Sequence, residues 1–157
     1  MSFGLFRVPE PINEPVQGHA PGSPERARLK TAYAGLAGQS FDVPLWIGGK
    51  AVRTGNTAPL ICPHHRRKPL GVFHQAGAKD VNDAIVAAQA ARGEWAALDW
   101  EDRAAVFLRA ATLLRGEFRD RLNAATMLGQ SKTAYQAEID AACELIDFFQ
   151  FNVHYLT

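Results

Sequence analysis

The chain has 157 residues, 47% of them hydrophobic and 10% aromatic, with 17 lysines and arginines against 16 acids for a formal net charge of +1. That apolar share excludes a chain disordered throughout, and the near-zero charge argues against a dedicated nucleic-acid or membrane-surface binder. At this length one domain with a real core is expected, and two are not.

The first forty residues read as an extended arm. Pro9, Pro11, Pro15, Pro21 and Pro24 crowd together with Gly18 and Gly22 among them. Proline lacks a backbone donor and holds its predecessor extended. Met1-Ser-Phe-Gly-Leu-Phe-Arg7 has no basic cluster ahead of an apolar run, so it reads neither as a secretory signal nor as a transit peptide. Within the arm, Ser23-Pro-Glu-Arg26 predicts a helix start, with Ser23 as cap and Pro24 in the first turn; the helix runs to Leu36 and stops at Gly38.

Residues 41–157 hold the main body. Val43-Pro-Leu-Trp-Ile47, Gly48-Gly49 and Lys50-Ala-Val-Arg53 predict a hairpin, since paired glycines accept the positive φ of a tight turn. Ala58–Cys62 and Leu70–His74 flank the basic turn His64-His-Arg-Arg-Lys-Pro69, and together these runs predict a small antiparallel sheet over about 43–74. From Asp80 the pattern is helical: Val81, Ile85, Ala88 and Trp95 recur at helical spacing. Asp99 opens a further helix with Val106, Phe107, Ala110, Leu113 and Leu114 as its inner face, and Gly116 breaks it. Another helix carries Phe118, Leu122, Ala125 and Leu128 and ends at Gly129. The last has a capping box, Thr133-x-x-Gln136, and a stripe of Tyr135, Ile139, Ala142/Cys143, Ile146, Phe149 and Val153. The chain alone therefore reads as α+β: an extended arm, a small antiparallel sheet and four to five helices. Leu145, Phe148, Phe151, Tyr155 and Leu156 add a second apolar face to the last helix, which belongs inside something larger. It meets Thr157 without a stop signal and reads as cut rather than finished.

Candidate chemistry is sparse. Cys62, His64, His65 and His74 are ligand types that zinc prefers, but their spacing fits no standard finger, and a solvent-facing hairpin turn is the stronger reading. The run His64–Lys68 has the charge to grip phosphate but no interleaved aromatics, so it too reads as a solvated turn. Gly129-Gln-Ser-Lys-Thr133 looks like a phosphate loop without its upstream glycine; a helix end followed by a new cap explains it better. Cys62 and Cys143 read as two reduced cysteines of a cytosolic protein, and neither has a nucleophile's neighbourhood. Asp140, Glu144 and Asp147 share one helical face, which from spacing alone reads first as solvated.

A resemblance changes the weight on that face. Thr126-Met-Leu-Gly-Gln-Ser-Lys-Thr133, followed by Gln136-Ala-Glu-Ile-Asp-Ala-Ala-Cys-Glu-Leu-Ile-Asp-Phe-Phe-Gln-Phe-Asn152, resembles the Δ1-pyrroline-5-carboxylate dehydrogenases, a branch of the aldehyde dehydrogenase superfamily. Asn13-Glu-Pro-Val16, Pro21–Arg26, Ala87–Trp95 and Asp102-Arg103 are similar to the same family's front portion. The resemblance implies the α/β aldehyde dehydrogenase fold, with residues 41–157 an incomplete amino-terminal part of the NAD-binding domain. It implies a parent enzyme that oxidises L-glutamate γ-semialdehyde to L-glutamate with NAD in proline breakdown. The parent would be homo-oligomeric, and cytoplasmic, or in the mitochondrial matrix of a eukaryote. The family's nucleophilic cysteine and its nicotinamide-binding glycine turn match no position here, so no catalytic or cofactor-binding residue carries over. The chain is expected to be inactive alone and to need the remainder of the dehydrogenase; no nucleic-acid, membrane or metal partner is implied. One position does carry over: Glu144, which in the family lies near the substrate's α-amino group. The alternative is a free-standing interaction module that docks a partner on Phe148, Phe151 and Tyr155.

Overall fold

A computed structural model describes residues 6–156. The readings placed on Met1–Leu5 and on Thr157 fall outside the described residues. The chain divides into two compact units, each with its own packing.

One unit joins the amino-terminal arm and α1 (Pro24–Ala37) to α3 (Trp100–Arg115), α4 (Arg119–Gln130) and the last helix. The arm is extended, as its prolines dictate. Ser23 Oγ accepts from the Arg26 N–H at 3.2 Å, so the expected cap opens α1. The last helix starts on the predicted capping box: Thr133 Oγ1 accepts from the Gln136 N–H (3.2 Å) while Gln136 Oε1 accepts from the Thr133 N–H (3.0 Å). It is α-helical over α5 (Ala134–Ala137), widens into a π-helical turn at Glu138–Cys143, and resumes as α6 (Glu144–Tyr155). The inserted turn shifts the helix phase, for which a 3.6-residue period does not provide. The expected inner stripe is buried at Ala142, Cys143, Ile146 and Val153, with Ala137 and Glu138 wholly buried as well, whereas Tyr135, ahead of the turn, is 65% exposed. On α3 the buried positions are Ala104 and Ala111, while Val106 and Phe107, expected inside, are largely exposed. Small residues there let α3 approach α6, with Phe107 reaching across to the Phe149 ring (centroids 5.7 Å apart).

The other unit holds the strands and α2 (Ala78–Ala97). The chain is mixed α/β as anticipated, but one antiparallel sheet over 43–74 is not what forms. β2 (Leu45–Ile47) and β3 (Lys50–Val52) pair only with each other, turning through Gly48 and Gly49 at φ +56° and +74°. β1 (Phe41–Val43), β4 (Thr57–Ile61) and β5 (Pro69–His74) make a second sheet of order β1-β5-β4, antiparallel between β4 and β5 but parallel between β1 and β5. The reason is a glycine. Gly71 adopts φ +145° and lies opposite Phe41, so close that only a residue without Cβ admits β1 to that edge. A clasp from half-exposed Asp42 and Arg53 to buried His74 holds the sheet's end: His74 Nε2 donates to Asp42 Oδ1 at 3.0 Å, Arg53 Nε donates to Asp42 Oδ2 at 2.5 Å, and His74 Nδ1 accepts from the Gly55 N–H at 3.2 Å. These charge-assisted bonds, Arg53 first, hold the Asp42 carboxyl below its ordinary range.

Helix α2 begins where Asp80 Oδ2 accepts from the Gly77 N–H at 2.8 Å, and Ala87 meets the β2–β3 turn at Gly48. Yet α2 buries no residue: Val81, Ile85, Val86 and Trp95 stand 42–68% exposed. On α6, Phe148, Tyr155 and Leu156 are at least 60% exposed. Uncovered apolar faces of this kind are uncommon on monomers. The 157-residue chain is therefore expected to bind a hydrophobic dye or self-associate. Light scattering showing a monodisperse monomer, with no dye fluorescence above blank, would contradict this account of the two faces.

Candidate substrate-recognition site

The three acids of the last helix part company in the structure. Asp140 lies in the π turn and takes Lys132 Nζ at 2.7 Å. Asp147 is held by the arm, its Oδ2 accepting from Asn13 Nδ2 at 2.9 Å and its Oδ1 from the Glu14 N–H at 2.7 Å. Glu144, between them, has no hydrogen-bond or ion-pair partner among the described residues. It is exposed and, with Asp147, Phe148 and Phe151, lines an open groove of about 290 Å³. An uncommitted carboxylate beside two aromatic rings can accept hydrogen bonds from an ammonium group and shield it from water on one side.

What fixes that stretch of helix is a buried ion network that sequence reasoning missed. Arg119, at the start of α4, is 3% exposed; Glu138 is wholly buried, and Glu14 of the arm is 6% exposed. The Arg119 guanidinium donates through Nε (3.1 Å) and Nη2 to Glu138 Oε1, through Nη1 to Glu14 Oε1 at 2.5 Å, and through Nη2 to the Pro15 carbonyl at 2.7 Å. Asn123 Nδ2 donates to Glu138 Oε2 at 2.7 Å, the Gln17 N–H donates to Oε1 at 2.8 Å, and Arg115 Nε reaches Glu14 Oε2 at 2.7 Å. Burial alone would push the Glu138 carboxyl up, but the bonds from Arg119, Gln17 and Asn123 outweigh it and hold the group below the usual range. The Arg119 guanidinium likewise stays above its ordinary value, because its bonds to Glu138 and Glu14 overcome desolvation. Cys143 Sγ sits against Glu138 and the Pro15 carbonyl, and burial followed by the Glu138 charge pushes its thiol up to about 11. A thiol so protonated is a poor nucleophile. One signal could have exposed the network: Glu138 stands four residues before Ala142, on the buried side of the last helix.

The remaining sequence candidates are engaged in local structure. Cys62 and Cys143 are both free and buried. Cys62 Sγ lies 3.3 Å from His64 Nε2, and His64 Nδ1 lies 2.8 Å from Ser131 Oγ, while His74 belongs to the Asp42 clasp. Among the described residues no group of three or more His, Cys, Asp or Glu is placed to hold a metal ion. His65, Arg66 and Arg67 are exposed on the β4–β5 turn. At Gly129–Thr133 the chain leaves α4, passes through Ser131 at φ +58°, and enters the Thr133 capping box, as the helix-end reading expects.

The sequence and fold have known counterparts. Residues 50–157 match the model of the aldehyde dehydrogenase family. The chain is 47% identical to the Δ1-pyrroline-5-carboxylate dehydrogenase of Agaricus bisporus over 98% of its own length, and 44% identical to the human mitochondrial enzyme over 91%. It superposes on the Mycobacterium tuberculosis Δ-pyrroline-5-carboxylate dehydrogenase bound with NAD at a TM-score of 0.95, with 49% identity over 99% of this chain and 29% of that one. The 1-pyrroline-5-carboxylate dehydrogenase of Thermus thermophilus gives a TM-score of 0.86 at 28% identity, over 94% of this chain and 28% of that one. The chain spans only 28% of the Agaricus relative and 25% of the human one. With more than half its residues matched by the family model, the chain belongs to the aldehyde dehydrogenase family.

Proposed function

We propose that this chain supplies the amino-terminal part of an NAD-dependent enzyme that oxidises L-glutamate γ-semialdehyde, the open form of Δ1-pyrroline-5-carboxylate, to L-glutamate. Glu144 recognises the substrate's α-ammonium group. The observation that carries this reading is the isolation of Glu144: its neighbours Asp140 and Asp147 are held by Lys132 and by the arm's amides, and of the two carboxylates lining the groove Glu144 is the one without a hydrogen-bond partner among the described residues. Proline breakdown is the proposed setting of that oxidation. The relatives from Dictyostelium, Emericella and human are named as mitochondrial, so the matrix is the proposed compartment in a eukaryote and the cytoplasm in a bacterium.

Within these residues the chemistry is binding and orientation. NAD supplies hydride acceptance in such an oxidation, but the described residues do not fit the dinucleotide. Of the two segments with a phosphate-loop look, Gly48-Gly49 is the β2–β3 hairpin turn, and at Gly129–Thr133 the Thr133 N–H is taken by Gln136 and Lys132 by Asp140. Cofactor and nucleophile would come from the remainder of the enzyme, packed on the apolar side of α6 that carries Phe148, Tyr155 and Leu156. The same face would serve a free-standing interaction module, the second reading.

A chimera separates the two. Residues 13–156 replace the matching segment of a full-length relative, and Glu144→Gln is made in it. The chimera is expected to oxidise glutamate γ-semialdehyde, whereas the 157-residue chain alone gives no turnover. Glu144→Gln is expected to lower kcat/KM for that aldehyde about tenfold or more, roughly 1.4 kcal/mol per tenfold, and to spare an aldehyde of similar length without the amine. The substitution keeps shape and removes charge, so only a cationic substrate loses a charged contact. Equal losses on both aldehydes would return Glu144 to the helix surface, and an inactive but folded chimera would favour the module.

A further inference from the structure

We propose that the groove between the arm and α1 binds a small amphipathic carboxylate, with Leu29, Tyr33 and Met127 holding its apolar part and Arg26, Lys30 and His19 its charge. The groove measures about 250 Å³ and is lined by His19, Arg26, Leu29, Lys30, Tyr33, Met127 and Ala134. It shares no residue with the groove at Glu144 and does not depend on the function proposed for that site.

Two independent observations point to an anion there. Three of the lining residues can carry positive charge and none is acidic. Arg26 and Lys30 stand four apart on α1, so they present their charges along the same edge. Only one guanidinium nitrogen of Arg26 is committed to the protein: Nη1 donates to the His19 carbonyl at 3.1 Å, which also ties down the arm at that point. Lys30 has no ion-pair or hydrogen-bond partner among the described residues. The second observation is an orphan. His19 Nε2 is buried with no hydrogen-bond partner, and buried polar atoms are rarely left so without a reason. Nε2 has almost no surface open to solvent, so a carboxylate drawn in by Arg26 and Lys30 accepts from Nε2–H as the His19 ring turns toward the groove. The wall rules out a purely polar anion such as free phosphate, because most of it is Leu29, Tyr33, Met127 and Ala134. Its volume lies just below the range of drug-sized ligand sites, about 300–1,000 Å³, which suits a medium-chain fatty acid or an aryl carboxylate.

Methionine-methyl NMR of the whole 157-residue chain reads the groove directly, since the chain has only two methionines, Met1 and Met127. Octanoate is the probe and 1-octanol its uncharged counterpart. The Met127 methyl signal is expected to move saturably with octanoate, and the apparent Kd to weaken at least tenfold in the double variant R26E/K30E. Both reversed side chains are exposed, so the core is untouched. His19→Phe, which keeps the ring and removes the nitrogen, is expected to weaken octanoate while leaving octanol unchanged. Octanoate adsorbed elsewhere on the apolar faces would not move Met127. An unmoved Met127 signal overturns the proposal, as does a response equal for octanoate and octanol, or one that survives the double reversal.

Discussion

Arg119→Met is expected to destabilise the chain by about 3–5 kcal/mol, the range for breaking a buried ion pair by removing one partner. Against a typical domain stability of about 5–15 kcal/mol, that is a large share of the margin. The substitution removes little volume but strands two carboxylates. Glu138, wholly buried, keeps Asn123, the Gln17 amide and the weak Cys143 thiol; Glu14 keeps Arg115; the Pro15 carbonyl loses its guanidinium donor. Arg119→Lys is expected to recover little, because an ammonium is a point charge and cannot serve Glu138, Glu14 and Pro15 with a planar fork. Glu138→Gln should cost less than Arg119→Met, since the amide oxygen still accepts from Arg119 and the Gln17 N–H, its NH2 can donate to the otherwise unpartnered Asn123 Oδ1 once that amide turns over, and no bare charge is left.

The pH dependence carries a sign. Because the folded Glu138 carboxyl lies below its ordinary value, its contribution is fully present above the unfolded-state carboxylate range and is lost as pH falls through the lower folded value. Urea midpoints measured from pH 7 downward should fall in the parent chain and less steeply in Glu138→Gln. A parent chain and an Arg119→Met variant with the same midpoint at pH 7 would show that the network carries no net stability.

The network also explains how the arm reaches the recognition end of the last helix. Glu14 joins arginines from α3 and α4, and its own N–H, with Asn13, fixes Asp147 one turn beyond Glu144. Sequence made the pieces legible but not their meeting. Proline crowding revealed an arm, Ser23-Pro24 a helix start, and Thr133-x-x-Gln136 a cap, because each is a local rule acting over three or four residues. Arg119 and Glu14 are more than a hundred positions apart, and no local pattern announces their pairing. The inner face of α3 departs from its periodicity because close helix approach puts alanines, not the larger apolar residues, at the contact. The stripe of the last helix holds at Ala142, Cys143, Ile146 and Val153 and departs at Tyr135, in the turn ahead of the π-helical stretch Glu138–Cys143. Resemblance alone separates Glu144 from the other two acids of its helix face. Spacing placed it with Asp140 and Asp147, and only the structure shows that those two are already paired. Likewise, glycine at position 71 looked like an ordinary strand residue until β1 was seen beside it.

Gly71→Ala is expected to be the most damaging single-methyl change in the strand unit. An added Cβ would sit 1.9 Å from the Phe41 carbonyl oxygen and 2.5 Å from its nitrogen, both backbone atoms that no side-chain rotation can move. The residue also holds φ +145°, a conformation that costs a non-glycine roughly 1–3 kcal/mol by itself. The chain can relieve the clash only by moving β1 off the sheet, which ends the Phe41–Gly71, Asp42–Val72 and Val43–Phe73 register. Asp42 leaves with β1, so buried His74 loses its Nε2 acceptor and Arg53 its carboxylate. Together these losses should exceed about 3 kcal/mol, with β4–β5 pairing retained because it lies on the other edge of β5. Gly49→Ala is the control. It too has a left-handed φ, +74°, but nothing lies within 4 Å of its added Cβ, so only the backbone term, about 1–2 kcal/mol, applies. Thermal melts should rank the two variants in that order. Amide exchange should show lost protection along β1 and at the Gly55 N–H in Gly71→Ala alone. Equal melting temperatures for the two alanine variants, or unchanged protection of β1, would mean that close packing against Phe41 is not what reserves position 71 for glycine.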